Sequence, residues 1–141
     1  MIYPQDYINK IVHADCLEAM RDIPNATLDL IITSPPYNLR NSSGGGSKRL
    51  GGKFWKKREL IKGYPAHGDD MPHSDYVQWQ RECLTEMVRV LSESGAIFYN
   101  HKWRVQNGLL QDRRDILEGF PVRQVIIWHR KGGFNFNPGY F

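Results

Sequence analysis

An α/β fold with a mostly parallel sheet is what this sequence predicts. Strand-like and helix-like stretches alternate along the chain, the pattern of that class. The stretch "LDLIITS" is a continuous apolar run of strand length, which suits a strand covered on both faces in a parallel sheet. The length, 141 residues with 40% hydrophobic and 24% charged, suits one domain with its own core rather than two.

In chain order, "INKIVHADC" reads as a short strand with Ile8, Ile11 and Val12 as its apolar part and His13 packed. "LEAMRDIP" follows as one or two helical turns stopped by Pro24. "LDLIITS" is the second strand. Residues 38–74 break the rhythm: "NLRNSSGGGSKRLGGKF" is rich in Gly, Ser and Asn without apolar period and reads as a long mobile loop. "SDYVQWQRECLTEMVRVLSESG" is the strongest helix, with Asp75 as N-cap and Gln78 three residues on. Val77, Leu84, Val88 and Leu91 form one apolar stripe, with Trp79, Cys83, Met87 and Val90 in the next, and Gly95 is the natural stop. "AIFYNH" reads as another buried strand. "LLQDRRDILEGF" reads as a helix with Leu109, Leu110, Ile116 and Leu117 inside, and "VRQVIIWHR" as a fourth strand before a Gly-rich tail from Gly132 to Phe141.

The net charge is +4, but its distribution says more. Arg40, Lys48, Arg49, Lys53, Lys56, Lys57, Arg58 and Lys62 crowd the loop against Glu59, with Phe54 and Trp55 among them. Basic residues interleaved with aromatics suit a polyanion whose bases stack; a solvated basic loop reads equally well. No apolar run approaches a membrane span and no secretory signal is visible. Cys16 and Cys83 form neither a CxxC pair nor a disulfide framework, so a reduced, cytoplasmic setting is expected. His67, Asp69, Asp70 and His73 lack metal-ligand spacing, and no metal is expected.

The informative stretch is "TSPPYN", Thr33 to Asn38, at the end of "LDLIIT". Ligands of open α/β sheets bind beyond the carboxyl ends of strands. Pro35 and Pro36 have fixed φ, and each pushes the residue before it out of the helical region, giving a stiff turn. The prolines offer carbonyl acceptors, Ser34 a hydroxyl and Tyr37 a flat apolar face. Such a cluster suits a planar ligand bearing an NH₂ group, such as a nucleobase; alternatively the turn merely ends a strand. His101, Lys102 and Trp103 also follow a strand end; they border the site or are ordinarily packed or solvated, the latter being expected.

This stretch resembles the catalytic motif of the DNA amino-methyltransferases, which methylate N4 of cytosine or N6 of adenine. "IVHADCLEAMRDIPNATLDLIITSPPYNL" resembles the family's N-terminal block, "DYVQWQRECLTEMVRVLSESGAIFYNH" its next helix and strand, and "VRQVIIWHRKGGFNFNPGYF" the start of a later block. The motif order resembles the β-group. The resemblance implies a Rossmann-like methyltransferase fold with S-adenosylmethionine as methyl donor and double-stranded DNA as substrate. It implies Ser34, Pro35, Pro36 and Tyr37 as the catalytic turn, with Tyr37 stacking on a flipped base. It implies Asp15, Cys16 and Thr33 at the cofactor, Asp15 being equally a helix N-cap, and the basic loop on phosphates. It also admits a homodimer.

The family's cofactor turn, Phe-x-Gly-x-Gly after a buried strand, has no match here: "SSGGGSK" follows no strand, "ESGAIF" precedes one, and "FNPGYF" is wrongly spaced. The expectation is therefore the N-terminal part of the domain, an apparently incomplete fold with apolar surface and sheet edges left open. A non-catalytic or truncated DNA-binding relative is the alternative. A small-molecule or protein methyltransferase fits the basic loop less well.

Overall fold

A computed structural model of the chain describes residues 1–38, 71–106 and 109–128. Its elements are α1 (Cys16–Arg21), β1 (Leu28–Thr33), α2 (His73–Val90), β2 (Leu91–Tyr99), β3 (Arg104–Gln106), β4 (Leu109–Gln111) and α3 (Arg114–Leu117). β1 and β2 pair in parallel, and β3 and β4 form a separate antiparallel pair. The α/β arrangement with a parallel sheet is thus present, with α2 between the paired strands as parallel pairing requires.

Asp15 caps α1: its Oδ1 accepts from Leu17 N at 2.9 Å and Glu18 N at 3.2 Å. α2 buries Tyr76, Gln80, Cys83, Leu84, Met87 and Val90, a face spaced as one side of a helix. This face meets Leu17 and Met20 of α1, Ile31 of β1, Ile97 and Tyr99 of β2, and Ile116 of α3. The last carbonyls of α2 have no helical partners; those of Arg89 and Val90 accept from Ala26 N at 3.0 Å and Thr27 N at 2.7 Å. Arg89 reinforces the joint, donating to the carbonyls of Met20 and Ile23, to Asn25 Oδ1 and to Glu86.

Along the sheet Ile31 pairs with Ile97, Ile32 with Phe98 and Thr33 with Tyr99, after a register shift between Leu28 and Leu30. Gly95 lies at this shift. A Cβ there would stand 2.7 Å from Leu91 Cγ and 3.1 Å from the Asp29 carbonyl, so the close approach excludes a side chain. Alternation gives the sheet two faces. Ile31, Ile97 and Tyr99 pack on α2; Leu30, Ile32 and Phe98 face outward, Ile32 being 74% exposed.

Several sequence expectations are corrected. "INKIVHADC" forms no strand, Ile11 is fully exposed at 100%, and His13 is exposed rather than packed; among the described residues no strand lies alongside it. "VRQVIIWH" likewise forms no strand through Trp128. The helix expected over 109–120 is only Arg114–Leu117, because Arg113 takes a left-handed backbone (φ 64°) and Leu109–Gln111 pairs with Arg104–Gln106 instead. Leu110 is consequently exposed. α2 starts two residues before Asp75, after Pro72, and its N-terminus has no side-chain cap; Asp75 sits in the first turn. Gly95 is not the stop: α2 ends at Val90, and Leu91 turns straight into β2 with an extended backbone. Most of the loop 38–74 and the tail after Trp128 lie outside the described residues.

Candidate active site

Parallel pairing brings two strand ends to the same edge. β1 runs into Ser34–Asn38, and β2 into Asn100 and His101, with Asn100 N donating to the Thr33 carbonyl at 2.8 Å. The Asn100 side chain completes the join: Nδ2 donates to Ser34 Oγ at 3.1 Å and to Tyr37 OH at 3.0 Å. The Ser34 and Tyr37 hydroxyls lie 2.6 Å apart. Ser34, Tyr37 and Asn100 therefore form one polar cluster at the sheet's carboxyl edge, with Ser34 exposed. The turn ends on Asn38, buried with φ 56° and donating from Nδ2 to the Met71 carbonyl at 2.8 Å. Asparagine tolerates that left-handed backbone better than most residues.

Beneath the turn lies the N-terminal part of α2. Tyr76, with no exposed surface, donates its hydroxyl to the Pro36 carbonyl at 2.8 Å and meets His101 Nε2 at 2.6 Å. The His101 ring lies between those of Tyr37, 5.0 Å away, and Tyr99, 5.7 Å away and near parallel. Lys102 Nζ stands 5.6 Å from the centre of the Tyr37 ring. One turn further along α2, Gln80 Oε1 accepts from Tyr99 OH. Burial, with Tyr76 beside it, pushes the Tyr99 phenol well above its ordinary value. Arg113, 3% exposed, holds its guanidinium 5.1 Å over the Tyr76 ring, a cation over an aromatic face.

Cys83, on the same face of α2, lies with Sγ 3.8 Å from Cys16 Sγ, both thiols being free. The Cys83 hydrogen bond holds the Cys16 thiol down at about 7, against its partial burial and Asp15. The same contact and its own burial push Cys83 up. Cys83 follows Tyr76 by seven positions, about 10 Å along the helix axis. One stripe of α2 thus touches the turn at Tyr76, β2 at Gln80 and the start of α1 at Cys83.

Of the residues expected at the site, Ser34, Pro35, Pro36 and Tyr37 share the sheet edge with Thr33, while Asp15 and Cys16 sit further along at the start of α1. Arg40, Lys48, Arg49, Lys53, Lys56, Lys57 and Arg58 lie outside the described residues, as do His67, Asp69 and Asp70. His73 of that group bonds Asp115 at 2.8 Å instead. His101 and Lys102 border the turn, contrary to the solvated or ordinary packing expected of them, and Trp103 is exposed. Tyr76, Tyr99 and Asn100 were not singled out for the site. The available signal for Asn100 was that it follows a second buried strand, as Ser34 follows the first.

A stiff acceptor-bearing turn beyond the end of a parallel strand, in a strand–helix–strand unit, defines the ligand-binding edge of an α/β domain. The chain belongs to the N6/N4 methyltransferase family of DNA methylases, whose model matches residues 28–141, from the first residue of β1. It is similar to the type II methyltransferase M.BglII of Bacillus subtilis, 29% identical over an alignment of 143 positions covering 96% of this chain and 33% of that protein. M.HinfI of Haemophilus influenzae is 30% identical over 132 positions, 89% of this chain and 32% of its own length. M.MjaVI of Methanocaldococcus jannaschii is 26% identical over 116 positions, 78% of this chain and 49% of its own. The chain therefore spans between about a third and a half of these relatives. Among the described residues no helix is long and apolar enough to cross a membrane.

Proposed function

We propose that the chain carries the catalytic turn of an enzyme that methylates the exocyclic amine of a base in double-stranded DNA, N4 of cytosine or N6 of adenine. The observation that carries this reading is the Ser34–Tyr37 turn at the carboxyl edge of β1 in a chain of the DNA methylase family. An exocyclic amine is a weak nucleophile because its lone pair is delocalised into the ring. Ser34 Oγ and the Pro35 carbonyl would accept its two N–H groups and draw the nitrogen toward a tetrahedral shape, localising that lone pair. With Asn100 Nδ2 donating to both hydroxyls, a Ser34 proton directed at Tyr37 OH leaves a Ser34 lone pair for the amine. Tyr37 would stack on the base, which must leave the duplex to be reached.

The donor set fits S-adenosylmethionine at one residue in particular. Asp15 Oδ1 takes both capping bonds, leaving Oδ2 to accept from an adenosyl hydroxyl or amine. The Thr33 carbonyl already accepts from Asn100 N and Cys16 Sγ lies against Cys83, so these two offer less. When bound, the cofactor supplies an electrophilic sulfonium methyl; the chain's part is to orient the amine toward it. Arg40, Lys48, Arg49, Lys53, Lys56, Lys57 and Arg58 would hold phosphates. The exposed faces around Ile32 and Ile127 would be covered by further length of the protein, such as the longer relatives have, or by a second copy.

The test is transfer of labelled methyl from S-adenosylmethionine to double-stranded DNA, followed by nucleoside analysis. N4-methylcytosine or N6-methyladenine is expected. Label only at cytosine C5 would overturn the reading; DNA binding without any label would make the chain a non-catalytic DNA-binding relative.

A further inference from the structure

On the inner side of the Ser34–Tyr37 turn, Tyr76 and His101 meet beneath the Pro36 carbonyl, and the direction of their hydrogen bonds can be assigned. A tyrosine hydroxyl has one proton to give. The Pro36 carbonyl can only accept, so the bond at 2.8 Å uses the Tyr76 proton. The contact at 2.6 Å between Tyr76 OH and His101 Nε2 must then be donated by the imidazole. His101 Nδ1 meets the Lys102 backbone on both sides, 2.8 Å from its N–H and 3.0 Å from its carbonyl, so the direction is set at the other nitrogen. There it runs from Nε2–H to Tyr76 Oη and from Oη–H to the Pro36 carbonyl.

We propose that Tyr76 and His101 are positioning residues that set the catalytic turn through this directed relay. The proposal rests on the reading above that Ser34 Oγ and the Pro35 carbonyl receive the base amine. Residues before proline are held extended, and in an extended chain successive carbonyls point to different sides. Tying the Pro36 carbonyl down onto α2 therefore turns the Pro35 carbonyl away from the helix, toward the edge where Ser34 is exposed. The relay has little room to fail softly. Tyr76 is fully buried, and a buried acceptor that loses its donor pays its desolvation in full. The Tyr76 ring is held by Arg113 at 5.1 Å, whose guanidinium nitrogens have no hydrogen-bond acceptor among the described residues. His101 is held between Tyr37 and Tyr99. The relay thus joins the first turn of α2 to the ends of both strands.

The experiment has two readouts. Long-range proton–nitrogen correlation spectra of the labelled protein are expected to show a proton on His101 Nε2; an Nε2 without a proton would overturn the relay, whether or not the protein methylates DNA. Methyl-transfer kinetics then compare Tyr76→Phe, His101→Leu and His101→Gln with the wild type. A turn displaced by about an ångström is expected to lose roughly 100-fold in kcat, with the KM for S-adenosylmethionine within twofold, since Asp15 lies apart from the relay. Glutamine carries an N–H in place of Nε2–H, so His101→Gln is expected to recover most of what His101→Leu loses. Tyr76→Phe with unchanged kcat would refute the positioning role, as would equal losses in His101→Gln and His101→Leu. An inactive wild type would instead count against the proposed function, and the spectra would still decide the relay.

Discussion

β1 and the segment 121–128 are both rich in branched apolar residues, and they end in opposite states. β1 lies against β2 over its whole length, with Ile31 packed on α2. In the other segment Val125, Ile126 and Ile127 are exposed, Ile127 at 85%, and no strand forms. The difference is not propensity, since β-branched residues favour strands in both. It is the presence of a neighbour: a strand needs a partner for its hydrogen bonds and a layer for its side chains, and β1 has both. The sheet repeats the lesson across its own thickness, with Ile31 and Ile97 covered by α2 and Ile32 and Phe98 bare.

The comparison breaks first in the covered layer. Met87 is buried among Cys83, Leu84 and Tyr76, so Met87→Ala is expected to cost about 2–5 kcal/mol in chemical denaturation, from lost transfer energy plus a cavity. A cost under 1 kcal/mol would mean that the α2 face is not packed as described. Gly95 comes next. Alanine there must displace Leu91 or widen the gap to the Asp29 carbonyl, at about 1–3 kcal/mol by overpacking. A neutral Gly95→Ala would place the register shift elsewhere.

The same contrast governs what was legible beforehand. The α2 stripe through Cys83, Met87 and Val90 could be read because helical periodicity is a local signal. "TSPPYN" could be read because proline stiffness and the order of functional groups are written in adjacent residues. "INKIVHADC" and "VRQVIIWHR" carried equally good strand patterns, yet the first formed none and the second formed none through Trp128, because pairing is decided elsewhere in the chain. The short α3 was hidden by Arg113, whose left-handed backbone no propensity announces. Asn100, His101 and Tyr76 reach the turn through the β1–β2 register and the path of α2. No residue near Ser34 in sequence could disclose them.

Cys16 and Cys83 sharpen the contrast at the scale of two thiols. They touch, yet one is exposed and the other buried. The hydrogen bond from Cys83 favours the Cys16 thiolate, bringing its pKa down from 9.0 to about 7. Iodoacetamide should therefore alkylate Cys16 with a pH midpoint near 7 and leave Cys83 untouched until the chain unfolds. Cys83→Ala should move that midpoint back up. A midpoint near 9 in the unaltered protein would show that the two sulfurs do not interact.

The smallest effect is expected where the sequence is most apolar. Ile127 removes little surface from water when the chain folds, so replacing it should change the folded and unfolded states almost equally. Ile127→Ser is expected to leave stability within about 0.5 kcal/mol, as for substitutions away from packed features, while Ile31→Ser should be severe. Because the two residues share their chemistry, only their surroundings can separate the outcomes. A loss for Ile127→Ser comparable to that of Met87→Ala, about 2 kcal/mol or more, would mean that something covers this segment in solution. If that loss grew with protein concentration, the cover would be a second copy, because only an association shifts stability by mass action.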